Sequence, residues 1–188
     1  MFICNLTRKI EDWATRVVLV FNIARSYYRE VVHNEIVLAD ISCDDNILCI
    51  GGGICPFTAI LFHQSTGARV TVIDNNSCCV DKAQQLIVKL GLDDAVRVVC
   101  EDGGSCGLDL ASFSIVHFAL QVSPMDCVFP YVESQVAPST KLLVRQSKKH
   151  LRKLYNQLPS QLLSSCPVTT HKKARNIGST LMYIKQAS

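Results

Sequence analysis

Apolar residues follow two different periods along this chain. Over 11–39 they recur at three- and four-residue steps with charged residues between them, which predicts an amphipathic helix. Beyond residue 45, short apolar runs alternate with amphipathic stretches, which predicts buried strands separated by helices. The predicted strands cover 46–50, 69–73, 96–100, 114–119 and 140–145, with two more near 166–171 and 178–185. The predicted helices between and after them cover 56–65, 77–90, 124–136 and 147–157.

This order of elements predicts an α/β fold. Strands that alternate with helices build βαβ units, and these units form a parallel sheet. The last two strands are joined by a short polar link at 172–176, so we expect them to pair as an antiparallel hairpin. We therefore expect a seven-stranded, mostly parallel sheet over 43–188, preceded by a short N-terminal helical cap over 1–42.

Composition narrows the class of protein. Apolar residues make up 48% of 188 residues and charged residues only 19%, which is typical of a folded domain with a sizeable core. The net charge of +3 does not indicate a nucleic-acid partner. No apolar run approaches the length of a membrane span, and the start lacks the layout of a signal peptide, so we expect a cytoplasmic protein without a membrane partner.

Ten cysteines are present, without a CxxC pair or zinc-finger spacing. Several lie inside apolar runs, where a free cysteine behaves as a small buried hydrophobe. We expect unpaired thiols in a reducing compartment and no metal site, although the spacing of Cys43, Cys49 and Cys55 leaves a cluster site as a weak alternative.

A glycine-rich turn follows the first predicted strand. Gly51, Gly52 and Gly53 come directly after the run ILCI, and Pro56 suits the first turn of the next helix. Glycine allows a tight turn and lets a ligand approach the backbone closely, and the free N–H groups of the helix start face the ends of the strands. The pattern therefore predicts a ligand site at this turn.

Acidic residues follow the next two strands. Asp74 lies 21 residues after Gly53, where a carboxylate can accept hydrogen bonds from both ribose hydroxyls. Asp102 ends the third strand and would accept from an adenine amino group. An adenosine-containing ligand is the favoured interpretation, and a glycine turn with two solvated acids is the alternative. The residues expected to bind it are Gly51, Gly52, Gly53, Asp74, Asn75, Asp102, Gly103 and Leu120.

The turn favours S-adenosylmethionine over a dinucleotide. Pro56 stands where the dinucleotide pattern GxGxxG has its third glycine, which packs the helix against the strand near the pyrophosphate. S-adenosylmethionine carries no phosphate and needs less anion-binding backbone. From 46 to 185 the chain resembles the Rossmann-like class I methyltransferase architecture, with five βαβ-type strands and a terminal hairpin.

Three stretches resemble nicotianamine synthases. The loop 50–60, IGGGICPFTAI, is similar to the IGSGPLPLTSI stretch of that family. The segment LLVRQS over 142–147 is similar to a strand-to-helix segment that carries an Arg-Ser pair, and Tyr27-Tyr28 followed by Glu35 is similar to an aromatic-rich helix whose glutamate is catalytic in that family. These enzymes transfer the 3-amino-3-carboxypropyl group of S-adenosylmethionine to an amine and release methylthioadenosine.

The resemblance implies an S-adenosylmethionine-dependent transferase acting on a small-molecule amine or amino acid. Glu35 would be the base that deprotonates the amine, with Tyr28 on the same helical face bordering the pocket. Arg145, near the carboxyl end of its strand, would grip a substrate carboxylate. A solvated Glu35 and a Tyr28 that only packs in the core are the alternatives left open.

The chain also departs from that family. Only about 40 residues precede the first strand by direct count, fewer than the helical domain that encloses the substrate in nicotianamine synthases. Two other functions therefore stay open: methyl transfer to a small molecule, and a non-catalytic cofactor-binding module whose pocket a second chain completes, for instance in a homodimer. The basic run over 145–153 is interpreted as a solvated face rather than a binding site for an anion or nucleic acid.

Overall fold

In the computed structural model, which describes residues 18–155, 158 and 166–187 and side chains from residue 27 onward, seven strands form one sheet. The strands are β1 (Asn46–Ile50), β2 (Arg69–Asp74), β3 (Val96–Cys100), β4 (Ile115–Phe118), β5 (Lys141–Ser147), β6 (Val168–Thr170) and β7 (Ile177–Ile184). The helices are α1 (Val18–Ala39), α2 (Phe57–Thr66), α3 (Ser77–Lys89) and α4 (Met125–Gln135), and 3₁₀ turns cover Leu110–Ser112 and Lys149–Leu154.

The order of strands in the sheet is β3-β2-β1-β4-β5-β7-β6. Neighbours from β3 to β5 pair in parallel, whereas β7 pairs antiparallel with both β5 and β6. This confirms the predicted mostly parallel sheet with a terminal antiparallel hairpin. From β1 the next strands along the chain, β2 and β3, lie on one side, whereas β4 and β5 lie on the other. Such a change of direction between neighbouring strands opens a crevice at their carboxyl ends.

Helices cover both faces of the sheet. On one face, alternate strand residues such as Cys49 and Leu143 pack with buried residues of α1, α2 and α3. On the other face, residues such as Leu48 and Val144 pack with buried residues of α4. Strands buried on both faces read as continuous apolar runs, which is why 46–50 and 115–118 could be found in the sequence.

The predicted helix over 147–157 is wrong at its start. β5 continues through Ser147, because Arg145 to Ser147 are buried and stay paired with β7. The following turn is a 3₁₀ helix at Lys149–Leu154, and the Lys148 N–H donates to the Asn176 carbonyl at 3.0 Å. The portion of the predicted first helix over 11–17 lies outside the described residues, and the division of the chain at residue 42 stays a prediction.

Within the described part of the chain, none of the helices combines the length and the apolarity that crossing a membrane requires.

Candidate active site

A cavity of about 810 Å³ opens at the carboxyl ends of the central strands. Its volume lies in the range of small-molecule binding sites, roughly 300–1,000 Å³. Every candidate residue named from the sequence except Glu35 lines this cavity. Those residues are Tyr28, Gly51, Gly52, Gly53, Asp74, Asn75, Asp102, Gly103, Leu120 and Arg145. Residues separated by more than one hundred positions thus form one concave surface.

The glycine turn is pinned to the end of β2. The N–H groups of Gly51 and Gly52 both donate to the Ile73 carbonyl, at 2.9 and 3.2 Å. Gly51 has φ +84°, a conformation that favours glycine. A Cβ added to Gly52 would lie 2.1 Å from Cγ1 of Val72, a fully buried residue of β2. The turn therefore needs its glycines for backbone geometry at one position and for space at the next.

Asp74 connects this turn to the start of α3. Its Oδ2 accepts the Gly53 N–H at 2.8 Å, and its Oδ1 accepts the Asn76 N–H at 3.0 Å. A carboxylate has about four acceptor sites, so Asp74 keeps lone pairs for hydroxyl groups of a ligand. Asp74 is only partly exposed, unlike the solvated acid of the alternative interpretation, whereas Asp102 is exposed and its Oδ1 accepts the Gly104 N–H at 2.7 Å.

Glu35 lies behind the cavity wall and is 0% exposed. Its Oε1 accepts from Nε of Arg145 and its Oε2 from Nη2 of Arg145, both at 2.8 Å, which makes a bidentate ion pair. The Thr180 hydroxyl donates to Oε1 at 2.7 Å. Burial alone would raise the pKa of Glu35, but Arg145 and, to a smaller extent, His117 together outweigh burial and hold that pKa far below its ordinary value.

These contacts do not suit Glu35 to the predicted role of general base. A base needs a free lone pair, a pKa near the working pH and access to the substrate. Glu35 is ion-paired, its pKa is low, and it is not among the residues that line the cavity. The alternative of a solvated helix residue is wrong, since no part of Glu35 is exposed, and a catalytic role of Glu35 stays a prediction.

Arg145 faces the cavity from β5 with part of its guanidinium already engaged. Besides the two bonds to Glu35, its Nη1 donates to the Thr58 hydroxyl at 3.0 Å. Three of its five N–H groups are thus used within the described residues, which leaves one on each terminal nitrogen. Its Cζ lies 5.6 Å from the centroid of the Tyr28 ring, within cation–π distance.

Tyr28 packs in the core and lines the cavity at the same time. Its ring stacks on Phe57 with centroids 5.7 Å apart and meets Tyr27 edge-on at 5.1 Å. The packing interpretation is therefore confirmed, and a role of Tyr28 in the reaction stays a prediction.

Sequence reasoning missed several polar residues around Glu35. His117 was expected in the core and is indeed buried, but it also lines the cavity, and its Nε2 lies 3.5 Å from Oε1 of Glu35. Apart from this long contact with Glu35, that buried Nε2 has no hydrogen-bond partner among the described residues. Thr180 and His171 come from the terminal hairpin and are also buried. The available signal was a polar residue inside an apolar strand, as for His117 in IVHF. Thr180 follows another polar residue, Ser179, and His171 lies just beyond β6, so neither carries that signal.

Acidification from pH 7 to about pH 5 is expected to lower the free energy of unfolding. Burial lowers the pKa of His117 and of His171, the Glu35 carboxylate opposes this at both, and the charge of Arg145 lowers both further, so that the net shift is downward. Below the ordinary histidine pKa of about 6.5, these two histidines bind protons in the unfolded chain but stay neutral in the folded chain. Their contribution to the free energy of unfolding is therefore fully present above that pH and is lost as the pH falls below it. The slope is at most about 1.4 kcal/mol per pH unit for each histidine.

Urea unfolding at a series of pH values measures this slope. His117→Leu should make it shallower, whereas His33→Gln, a change at an exposed position, should leave it as in the wild type. A wild-type stability that does not change over this range would show that the two buried histidines are not held neutral.

Three of the cysteines, Cys49, Cys55 and Cys79, line the cavity. None of the nine cysteines of the described residues forms a disulfide. In this same part of the chain, no three His, Cys, Asp or Glu side chains are placed to hold a metal ion. Burial raises the pKa of the Cys49 thiol on the cavity wall, which keeps it protonated.

The fold matches solved structures of S-adenosylmethionine enzymes. A structure of the nicotianamine synthase MtNAS in complex with MTA and tNA has a TM-score of 0.82 over 97% of this chain and 73% of its own, at 24% identity. An RNA methyltransferase from Salinibacter ruber, in complex with S-adenosyl-L-homocysteine, has a TM-score of 0.65 over 85% of this chain and 92% of its own, at 17% identity. The chain has the class I methyltransferase fold. The predicted Rossmann-like architecture is thereby confirmed.

Sequence similarity to characterised proteins is limited. No protein-family model matches the chain. An L-histidine 2-aminobutanoyltransferase of Yersinia pestis is 26% identical over 97 residues. That stretch makes up 52% of this chain. It spans only 32%, about a third, of the length of the curated relative. The class I methyltransferase fold rests on the similarity of structure and not on this short sequence match.

Proposed function

We propose that this protein is an S-adenosylmethionine-dependent transferase that moves the aminocarboxypropyl group to an amine of a small molecule. The observation that carries the proposal is one cavity that combines the glycine turn, Asp74 and Asp102 at the switch point of a class I methyltransferase fold. A structure of a glutamate-to-glutamine mutant of MtNAS in complex with S-adenosylmethionine has the same fold, with a TM-score of 0.81. The similarity to an aminobutanoyltransferase supports the choice of the transferred group.

The shape of the glycine turn fits an adenosine ligand. Gly52 has no room for a Cβ on the Val72 side, so the turn lies flat against β2 and leaves its other side to the cavity. In our proposal Asp74 accepts hydrogen bonds from the ribose hydroxyls, and Asp102 accepts from the adenine amino group. Leu120, which packs with the small apolar cluster of Val31, Ala174 and Ile177, borders the methionine portion.

Arg145 orients the carboxylate of the acceptor substrate from its place on the cavity wall. Its two remaining N–H groups lie on different terminal nitrogens, a spacing that matches the two oxygens of a carboxylate. Glu35 and Thr58 hold the guanidinium in one position, so little side-chain entropy is lost when a carboxylate binds. Orientation decides which carbon next to the sulfonium faces the amine in line.

His117 is the described residue best placed to accept the amine proton. S-adenosylmethionine supplies, when bound, a sulfonium whose attached carbons are electrophilic. Transfer forms a nitrogen–carbon bond, breaks a carbon–sulfur bond and frees one proton from the nitrogen. His117 lines the cavity, burial and Arg145 lower its pKa, and its Nε2 has no hydrogen-bond partner in the described residues apart from the contact with the Glu35 carboxylate. Once protonated, it would lie beside the Glu35 carboxylate, 3.5 Å away.

Asp74→Ala is expected to weaken S-adenosylmethionine binding by about 1–3 kcal/mol, because hydrogen bonds to a charged acceptor are lost. Isothermal titration calorimetry measures the dissociation constant directly. Asp81→Ala removes an exposed acid of the neighbouring helix α3 that does not line the cavity, and should bind like the wild type. Equal affinity of wild type and Asp74→Ala would remove Asp74 from the cofactor site.

The nucleoside product identifies the reaction. The protein is incubated with S-adenosylmethionine and a panel of amino acids and amines, and the product is identified by chromatography and mass spectrometry. Methylthioadenosine supports aminocarboxypropyl transfer.

His117→Gln and Glu35→Gln should both slow turnover with little change in S-adenosylmethionine affinity, and full turnover in either variant would remove that residue from the mechanism.

Methyl transfer is the second candidate function. The Salinibacter ruber RNA methyltransferase favours it, because this chain covers 92% of that protein, so the two folds are similar in extent. S-adenosylhomocysteine as the product would replace aminocarboxypropyl transfer by methyl transfer. Binding of S-adenosylmethionine without turnover of any acceptor would instead support a non-catalytic binding module.

A further inference from the structure

A chain of buried polar side chains leads from the terminal hairpin to Glu35. Nε2 of His171 lies 2.8 Å from the Thr180 hydroxyl, which lies 2.7 Å from Oε1 of Glu35. At the other end, Nδ1 of His171 lies 3.5 Å from Nδ2 of Asn34. His171, Thr180 and Glu35 are all buried, at 2%, 0% and 0% exposure. None of these four residues is among those that line the cavity.

The ionised state of Glu35 determines the direction of every bond in this chain. A carboxylate only accepts, so the single Thr180 proton must point to Oε1. The Thr180 oxygen must then accept from Nε2 of His171, which therefore carries a proton. Burial disfavours a second proton on the ring, so Nδ1 is bare and accepts from the Asn34 amide. One tautomer of His171 satisfies all three contacts.

This series of hydrogen-bonded side chains reaches the cavity wall through Arg145. Arg145 and Thr180 stand directly opposite each other on the antiparallel strands β5 and β7. Both side chains reach Oε1 of Glu35 on α1, so one carboxylate oxygen joins three elements. A carboxylate held from two strands has one orientation, and the bidentate pairing passes that orientation to the guanidinium.

We propose that His171 and Thr180 are positioning residues: His171, as the neutral tautomer with its proton on Nε2, orders Thr180, which orients Glu35 and through it Arg145 toward the cavity. Neither residue contacts the substrate. The consequence for turnover rests on the proposed transferase function. The tautomer and the orientation of Arg145 do not, and they are measured separately.

The tautomer is tested by nuclear magnetic resonance on the unliganded wild-type protein labelled with ¹⁵N-histidine at neutral pH. We expect the Nε2 of His171 to resonate as a protonated nitrogen and its Nδ1 as an unprotonated one, with His171→Gln used to assign the signals. A ring protonated on Nδ1 alone, or on both nitrogens, would overturn the proposal. This measurement needs no substrate. Its readout is taken on the wild-type protein, and the variant serves only to assign the signals.

The orientation of Arg145 is tested with two substitutions at Thr180. Thr180→Val keeps the shape and removes the hydroxyl, whereas Thr180→Ser keeps the hydroxyl. We expect the slowly exchanging Nε–H signal of Arg145 to shift or broaden in Thr180→Val and to return in Thr180→Ser. His171→Leu should act like the valine variant, and His171→Gln, whose amide can still donate to Thr180, should restore the signal.

Kinetics provide the functional readout. If the transferase proposal holds, Thr180→Val should lower kcat/KM for the acceptor by about 10- to 100-fold, because Arg145 no longer holds the acceptor in line. The affinity for S-adenosylmethionine should stay unchanged. Thr180→Ser should recover the rate. An unchanged Arg145 signal in Thr180→Val would refute the positioning role. A protein that turns over no acceptor but shows the expected signals would refute the transferase function and leave the hydrogen-bond chain intact.

Discussion

Arg145→Met is expected to lower the free energy of unfolding by about 3–5 kcal/mol, the cost of removing one partner of a buried ion pair. The substitution leaves the Glu35 carboxylate fully buried without a cation. The pKa of Glu35, now held low by Arg145 and His117, would rise because His117 alone would be left to oppose the effect of burial on this carboxyl. Urea unfolding monitored by circular dichroism measures the change.

A double variant separates the cost of an unpaired charge from the value of the pair. Glu35→Leu combined with Arg145→Met leaves no charge in the core, and we expect it to regain most of the stability lost in the single variant. Lys173→Met breaks the exposed ion pair with Glu30 and should change stability by less than about 0.5 kcal/mol. An Arg145→Met protein that loses under about 1 kcal/mol would show that the buried pair does not hold this part of the fold together.

Gly52→Ala is expected both to destabilise the fold by about 1–3 kcal/mol and to weaken S-adenosylmethionine binding at least tenfold. The new methyl group would lie 2.1 Å from Cγ1 of Val72. Val72 cannot move aside, because it is 0% exposed and its β-branched side chain has few rotamers. The turn must then move outward, into the space that the proposed cofactor occupies. Thermal unfolding and calorimetry measure the two effects.

Removing the opposing methyl groups tests whether this contact is the cause. Val72→Ala makes a small cavity on its own, but combined with Gly52→Ala it makes room for the new side chain. We therefore expect the double variant to be more stable than the sum of the two single effects implies, and to recover binding. Strict additivity would mean that the alanine acts on the turn in another way.

Much of the fold could be read from local patterns. Strand 46–50 was predicted with its observed bounds, because a strand buried on both faces is a continuous apolar run that ends at a turn. The glycine turn, Asp74 and Asp102 could be found for a related reason. Parallel strands present their carboxyl ends at one edge, so residues that follow each strand come together whatever lies between them.

The inner end of the cavity could not be read in this way. Glu35 looks like an ordinary polar residue of an amphipathic helix, and its burial depends on a cation 110 residues further along the chain. Similarly, β5 runs on through Ser147 because β7 returns beside it, and no local signal in RQS records that partner.

The sequence by itself therefore determined the α/β class, the order of the strands along the chain and the edge of the sheet at which the cavity opens, because each follows from residue period and turn chemistry within a short window. Only the tertiary structure decided the burial and ion pairing of Glu35, the remaining donors of Arg145 and the neighbours of His171. A buried charge takes its pKa and orientation from whichever groups surround it, and here these come from α1, β5 and the terminal hairpin.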